Sequence, residues 1–440
     1  MKLDQKPKSK DWFPSTFKIA LLLSAMVYIA VVFLTKPDHE NIPVYGFEVL
    51  KFWQKGFWDL MEFTMQMILI LVFGYALAVS RQVSKGIKKL VDLADSNLKS
   101  VMITAIVTIC AGYLNWGFGL IIGAVLARQI GENAAQKGKS LNYHLVGASG
   151  YLGMMVWHGG LSGSATLKVA EKGHFLEDLI GVIPVNETIF SSANLLINLA
   201  LVIVLISVIY ILSNTKANAS SLADIKSQKH HAVLPGKGYL GIIIGALILI
   251  LAFSDFFYAG SDNLGFFDLN FVNFVLLGFG LILFRNPDAY FKALGKGMNS
   301  ATDILIQFPF YAGILGMMKY SGFLDLSGEF LVSNSSAETF PLFSFFSAAA
   351  VNLFIPSGGG QWAIQGPILM EAAKSMSIDP AGMVLSFAYG DQLTNMLQPF
   401  WALPLLSITG ISAKDILRYS FYFFLSGFLV FGFGIWILIC

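Results

Sequence analysis

Long apolar runs alternate along the chain with short polar loops. In each half, two Gly-rich polar interruptions fall inside segments that are otherwise apolar. A helix needs roughly 17–25 apolar residues to cross a bilayer. Runs of that kind lie at 17–34, 61–80, 190–212, 239–257, 268–284, 301–319 and 419–439, and each predicts a membrane span. Two more, 143–166 and 380–408, are long enough but carry polar breaks near their middles, which predicts broken helices. Segments 101–126 and 340–373 are pairs of short apolar arms around a Gly-rich tip, the pattern of a span or of a re-entrant hairpin. The stretch 36–60, with Trp53 and Trp58, fits either an interfacial helix or an extra span.

The interruptions are matched between the halves. Asn115-Trp116-Gly117-Phe118-Gly119 is followed by His158-Gly159-Gly160-Leu161-Ser162-Gly163-Ser164-Ala165-Thr166. Asn352-Leu353-Phe354-Ile355-Pro356-Ser357-Gly358-Gly359-Gly360-Gln361 is followed by Asp391-Gln392-Leu393-Thr394-Asn395-Met396-Leu397-Gln398-Pro399. Asn115 stands as far from His158 as Asn352 does from Asn395. In hydrocarbon every backbone amide needs a partner, so broken helices persist only where they line a polar cavity. Matched breaks in two halves predict a substrate site at the repeat interface of a secondary transporter.

Of the 440 residues, 55% are hydrophobic and 13% charged. Soluble domains carry about 25% charged residues, so the composition is that of a polytopic membrane protein. Cys110 and Cys440 are far apart in apolar surroundings and suggest neither a disulfide framework nor a metal cluster. Basic residues precede 17–34 as in a signal peptide, but no small-residue cleavage site follows, so an uncleaved first span is expected.

Charge placement settles the hairpins. Most of the 29 Lys and Arg fall in loops at 1–18, 81–100, 127–142, 213–238, 285–299 and 411–418. Positive loops stay cytoplasmic, so these lie inside. Segment 101–126 then has basic loops at both ends and must be a re-entrant hairpin from the cytoplasmic side; 340–373 has both ends outside. The expected fold is an all-α polytopic membrane protein with two inverted structural repeats. It would have about nine transmembrane helices, two re-entrant hairpins and two broken helices. The first repeat is 1–212, a cytoplasmic linker plus connector helix occupies 213–267, and the second, inverted repeat is 268–440. The N-terminus is expected in the cytoplasm and the C-terminus outside.

With no Lys or Arg near the middle of a predicted span, an anion would be held by backbone amides, hydroxyls and side-chain amides at half-helix N-termini. The candidate substrate ligands are Asn115, Gly117, His158, Gly159, Gly160, Ser162, Ser164, Asn352, Ser357, Gly358, Gly359, Gly360, Gln361, Thr394 and Asn395. Glycine lets backbone N–H groups approach a ligand closely; alternatively, Gly and Ser here only let helices pack. Asp391 is the one carboxylate near the centre of a predicted span, where acids usually serve ion or proton sites. With Thr394, Asn395 and Asn115 it is the candidate coupling site for Na⁺ or H⁺; the alternative is an acid that steadies a kink before Pro399. His158 could donate to a carboxylate, supply a charge when protonated, or only bond across helices. Asp303 and Glu371 are read as edge residues. His39, His144, His174, His230 and His231 show no ligand spacing, so no transition-metal site and no cofactor is expected.

Enzyme-like patterns fail on context. Gly358-Gly359-Gly360-Gln361-Trp362-Ala363 fits G-x-G-x-x-A without a surrounding βαβ unit. Gly160–Ser164 lacks the second Gly of a G-x-S-x-G elbow, and no Walker A sequence is present. Nucleic-acid binding has no support.

Four segments together carry a family resemblance: Asn115–Leu120 with Ala127-Arg128; Trp157–Ala165; Asn352–Trp362; and Tyr389–Trp401. On these the chain resembles the AtoE-type short-chain fatty acid transporter family, grouped with the wider ion transporter superfamily, over nearly its whole length. The resemblance implies uptake of short-chain fatty acids such as butyrate or acetoacetate across the bacterial inner membrane, by an elevator motion with paired hairpins. The leading expectation is a symporter of small monocarboxylates coupled to H⁺ or Na⁺. The alternatives are a carrier of another small anion of dicarboxylate type, an anion channel, and an intramembrane enzyme using His158 and Ser162. Expected partners are a small carboxylate substrate, the lipid bilayer and a second copy in a homodimer.

Overall fold

The structure, a computed structural model, describes residues 16–214, 238–258, 267–299, 301–353 and 357–440. Among the described residues the chain is helical, with short 3-10 turns and no strand. In order the helices are α1 Thr16–Leu34, α2 Ile42–Gly56, α3 Met61–Ala78, α4 Arg81–Leu93, α5 Asn97–Leu114, α6 Trp116–Gln136 and α7 Tyr143–Ser149. They continue with α8 Ser164–Lys168, α9 Glu177–Ile180, α10 Ser192–Asn214, α11 Leu240–Tyr258, α12 Leu269–Phe284, α13 Pro287–Met298 and α14 Thr302–Tyr320. The last are α15 Phe323–Asn334, α16 Phe340–Asn352, α17 Gly358–Ser375, α18 Pro380–Thr394, α19 Pro399–Thr409 and α20 Ala413–Leu438.

Each uninterrupted apolar run is helical over most of its length, and both interrupted runs are broken. The first run holds α7, a 3-10 turn and the short α8; the second holds α18, a 3-10 turn at Asn395–Leu397 and α19. α3, α5, α10 and α20 are each long and apolar enough to cross a membrane. Outward faces of α1, α10, α11 and α20 expose Met26, Leu199, Leu247 and Trp436, a surface suited to hydrocarbon rather than water. The stretch 36–60 contains α2, started by Asn41, whose side chain accepts from the Val44 N–H at 3.0 Å.

The first hairpin is longer than expected, running from α5 to the end of α6 rather than over 101–126. Its arms touch closely: a Cβ on Gly119 would lie 2.6 Å from the Gly112 Cα. Its two ends meet, since Lys139 Nζ donates to the Asp95 carbonyl at 2.9 Å and the Asn142 N–H to Asn97 Oδ1 at 2.8 Å. Arg128, buried within the α6 arm, donates to Glu132 at 2.7 Å and to the Thr409 carbonyl at the end of α19 at 3.1 Å. A cation at a helix C-terminus is favoured by the helix dipole.

Parts of the basic segments read as loops, 81–100 and 285–299, are helices α4 and α13. The reason is amphipathicity: Ile87 with Val91, and Tyr290 with Ala293 and Gly297, form buried stripes at helical spacing. Such stripes are too short and too charged to register as apolar runs. α15 was unforeseen too. The segment 215–237 with His230 and His231, the tip residues 354–356 and the Asp303 side chain lie outside the described residues.

Packing sorts the helices into two bodies. α5 to α8 and α10 pack with α16 to α20; α1 to α3 pack with α11 to α14. The bodies meet chiefly where α3 lies on α6 and α14 on α17. The hairpin, broken-helix, long-helix series occurs twice, as α5–α6, α7–α8, α10 and as α16–α17, α18–α19, α20. Both series belong to the first body.

Candidate functional site

Both hairpin tips restart a helix with a polar cap. Asn115 Oδ1 accepts from the Phe118 N–H at 2.7 Å, and Ser357 Oγ accepts from the Gly360 N–H at 3.2 Å. A cap satisfies one of the helix's first free N–H groups. These two candidates therefore spend much of their polarity on their own tips. Asn115 also donates to the Ile70 carbonyl at 3.3 Å, which fastens the first tip to α3, and Gly117 packs against Leu71 there.

The broken segment 156–163 is laid over the first tip. Ser162 Oγ accepts from the Trp116 N–H at 3.0 Å, and the Leu161 N–H donates to the Tyr113 carbonyl at 2.7 Å. Gly160 needs to be glycine, because a Cβ would stand 2.5 Å from that carbonyl oxygen. Asn194 on α10 donates to the Gly159 carbonyl at 2.9 Å and accepts from the Tyr389 hydroxyl at 2.8 Å.

This turn delivers His158 to Asp391. His158 Nδ1 lies 2.8 Å from Asp391 Oδ2, and both residues are fully buried. The Ala165 N–H donates to His158 Nε2 at 3.1 Å. A backbone N–H can only donate, so Nε2 presents a lone pair and the proton sits on Nδ1, directed at the carboxylate. His158 is thus held as the neutral tautomer. Trp157 stacks on the imidazole, with centroids 4.4 Å apart and planes 15° apart, and the His158 N–H donates to Gln392 Oε1 at 3.0 Å.

The second tip closes the other side. A Cβ on Gly358 would lie 2.6 Å from Trp157, 3.0 Å from Asp391 Oδ2 and 3.1 Å from His158 Cε1. Only a bare backbone fits, so the N-terminus of α17 abuts the His–Asp pair. Gly359 faces Phe63 and Phe308, and Gly360 faces Tyr311. Asn352 Nδ2 bonds the Asp391 carbonyl at 2.6 Å, Thr394 Oγ1 at 3.0 Å and Asn395 Oδ1 at 2.9 Å. Gln398 donates to the Asn352 carbonyl. Several buried polar atoms remain without a hydrogen-bond partner: Asp391 Oδ1, Asn352 Oδ1, Gln398 Oε1, Gln392 Nε2, Asn395 Nδ2 and Trp157 Nε1. Buried polar groups are costly when left without a partner, so each of these atoms calls for one.

His158, Gly358, Asn352, Asp391, Thr394 and Asn395 are therefore brought together. Gln361 is not: its amide donates to the Ala348 carbonyl and to Gln365 Oε1, both at 2.8 Å, and ties the second hairpin's arms. Ser164 Oγ lies 3.2 Å from His158 Nε2, which completes the residue types of a hydrolytic triad. All three side chains are wholly buried, and Nε2 already accepts the Ala165 N–H, so the geometry holds the imidazole in place. Away from the pair, a cavity of about 480 Å³ is lined by Leu77, Leu114, Phe118, Leu161 and Phe271, with Asn115 at its polar edge.

The sequence reading missed a second buried constellation. Lys168 and Glu171 are 5% and 6% exposed and pair at 2.9 Å, one turn beyond Ser164. Gln392, Trp157, Asn194 and Tyr389 were also unforeseen as site supports.

A family model described as "Short chain fatty acid transporter" matches residues 6–438. A protein of Escherichia coli (strain K12), provisionally named a short-chain fatty acid transporter, is 36% identical over 422 residues, covering 93% of this chain and 92% of its own. A protein of Haemophilus influenzae with the same provisional name is 35% identical over 428 residues, with the same coverage. Among solved structures, the YdaH transporter of Alcanivorax borkumensis aligns with a TM-score of 0.56 at 13% identity, over 96% of this chain and 98% of that one. MtrF of Neisseria gonorrhoeae, described as illuminating a class of antimetabolite efflux pumps, aligns with a TM-score of 0.59 at 12% identity, over 98% and 96%. At those identities the likeness is one of fold.

Proposed function

Because the chain belongs to the short-chain fatty acid transporter family, we propose that it imports small monocarboxylates of the butyrate and acetoacetate type, each with a coupling cation. It is a multi-pass membrane transporter and not an enzyme. The observation that carries the finer reading is the buried His158–Asp391 pair set against the start of α17 at Gly358. The first N–H groups of a helix and its dipole make a site for an anion, and a substrate carboxylate placed there lies beside Asp391.

Two like charges about 4 Å apart repel by roughly 4 kcal/mol at an effective dielectric constant near 20. His158 does not offset this, because its neutral tautomer is fixed by the Ala165 N–H. The compensating charge must come from solution. A proton on Asp391 Oδ1 would supply it. So would Na⁺ held by Asp391 Oδ1, Asn352 Oδ1, Thr394 Oγ1 and Gln398 Oε1, an all-oxygen set of the kind hard cations take. Substrate and cation then bind together or not at all, which is coupling.

The body holding both tips, His158 and Asp391 is the one that moves, past α3 and α14, in an elevator-like step. The two hairpin series, within repeats 1–212 and 268–440, run in opposite senses through the inner membrane. The N-terminus lies in the cytoplasm and the C-terminus outside, as the basic loops favour. Uptake of labelled butyrate into proteoliposomes, under Na⁺ and proton gradients imposed separately, tests this. Accumulation under one gradient is expected; accumulation under neither rejects the coupled monocarboxylate reading.

A further inference from the structure

Of the described Lys and Arg, only Lys168 and Arg128 are buried to the point of 5% exposure. Arg128 is committed to Glu132 and to the end of α19. Lys168 is placed differently. It lies within the segment that carries His158, one turn after Ser164 and Ala165, and its ammonium stands 5.5 Å from the centre of the Phe63 ring. The same ring faces Gly359, whose Cβ would lie 2.9 Å from Phe63 Cζ. One aromatic ring separates this buried cation from the start of α17.

Glu171 pairs with Lys168, and neutral amides hold it as well. Gln66 Nε2 lies 3.0 and 3.1 Å from the two Glu171 oxygens and 3.0 Å from Asn270 Oδ1, its two hydrogens shared among the three, and Asn270 Nδ2 donates to Glu171 Oε1 at 3.1 Å. Lys168 donates to Oε2 at 2.9 Å and also reaches Gln66 Oε1 at 3.4 Å. A carboxylate left by its lysine would normally be stranded in low dielectric. Here neutral amide donors keep Glu171 solvated when Lys168 turns to another partner. Asn270 is exposed and forms the rim of the cluster, and Phe63 packs with Phe175 and Phe308 to give an apolar wall beside the ammonium.

We propose that Lys168 is a second carboxylate-binding station, at which a short-chain monocarboxylate replaces Glu171 on the ammonium and lays its alkyl chain against Phe63, Phe175 and Phe308. The station stands before the Gly358–Asp391 site on the substrate's path, with the Phe63 side chain as the partition between them. A charge-assisted bond to the ammonium holds the carboxylate, and the aromatic wall takes a few methylene groups. This inference rests on the monocarboxylate reading given above.

The test is the KM for labelled butyrate uptake by the full chain in proteoliposomes, for the wild type, Glu171→Gln, Lys168→Gln, Lys168→Arg and the double variant. Glu171 competes with substrate for Lys168, so Glu171→Gln should lower KM. Lys168→Gln should raise it by about tenfold or more, as for loss of one hydrogen bond to a charged group. The double variant should match Lys168→Gln, and Lys168→Arg should stay near the wild type. A structural ion pair gives another pattern: each single neutralisation impairs uptake and the double variant recovers wild-type KM. That recovery overturns the station. If Lys168→Gln fails to insert, Glu171→Gln decides alone, because a KM that rises or stays unchanged overturns it. Absence of butyrate uptake by the wild type overturns the monocarboxylate reading, and the station with it.

Discussion

His158 Nδ1 donates to Asp391 Oδ2 across 2.8 Å, and neither side chain reaches the surroundings. The two residues come from the broken segments of the two halves, so the bond joins the halves at the centre of the candidate site. It also separates shape from charge at Asp391. Asp391→Asn leaves an oxygen to accept the His158 proton, so the structural loss should stay at about 1 kcal/mol, one neutral hydrogen bond. The charge that demands a cation is gone. Gradient-driven accumulation of butyrate should vanish while downhill exchange persists. Wild-type accumulation in this variant would exclude Asp391 as the coupling residue, and Asn352 and Gln398 would then be examined.

Gly358 sets the distance between the α17 N-terminus and that pair. Even Gly358→Ala places a methyl 2.6 Å from Trp157 and 3.0 Å from Asp391 Oδ2. Overpacking of this kind costs about 1–3 kcal/mol, and the displaced backbone no longer meets the substrate. Uptake should collapse with the protein still inserted. Gly86→Ala on α4, with open space around its Cβ, should transport as the wild type. Equal activity in both variants would show that the Gly358 contact has no part in transport.

The apolar runs and their interruptions made the helices, the two hairpins and the broken segments legible in the sequence, because lipid imposes a length and a polarity rule on each segment separately. Pairing across segments obeys no such local rule. His158 and Asp391 could each be singled out, but their bond spans 233 positions and no spacing announces it. Gln392 and Asn194 escaped for the same reason, since a buried amide looks alike in sequence whether it packs or supports a site. Asn115, Ser357 and Gln361 show the converse, with hydrogen bonds that go to helix caps and a hairpin tie. Caps and hairpin ties use the residue types that ligands use, and only the direction of the bonds tells them apart. Lys168 and Glu171 lie just past a polar break, where the end of an apolar run reads as a loop. Tertiary packing buried them through Gln66 and Asn270, which belong to the other body.

The segment between α8 and α10 carries a pH response with a definite sign. Burial holds the His174 pKa below its ordinary value of 6.5. Its Nε2–H donates to the Gly181 carbonyl at 2.9 Å, and Nδ1 accepts from the Leu176 N–H at 3.2 Å. A group whose native pKa is lowered binds more protons when the segment opens, so closure is favoured at high pH. Its contribution is complete above pH 6.5 and is lost as pH falls below that value toward the lowered native one. Hydrogen exchange at Leu176 and Gly181 should therefore quicken between pH 7 and 5 after correction for intrinsic rates, and His174→Gln should flatten the response. An unchanged pH dependence in that variant would assign the effect elsewhere.

The first hairpin makes a prediction about sidedness. Lys139 bonds the Asp95 carbonyl and Asn142 bonds Asn97, so both ends of α5–α6 stand at the same end of the molecule. Lys99 and Lys137 lie near those ends, among basic residues that favour the cytoplasm. In a background without Cys110 and Cys440, single cysteines at positions 99 and 137 should react with an impermeant maleimide only after the cytoplasmic face is opened. Substitution at these positions is mild: the Lys99–Asp95 pair is exposed, and surface ion pairs add little to stability. A cysteine at Gly119 is unsuitable as the tip reporter, because its Cβ would strike Gly112. Leu114, at the tip and 54% exposed, is the better position and should stay unlabelled from outside while the carrier faces inward. Labelling of positions 99 and 137 from opposite faces would make this segment a true span, and the two series could then no longer be inverted copies of one another.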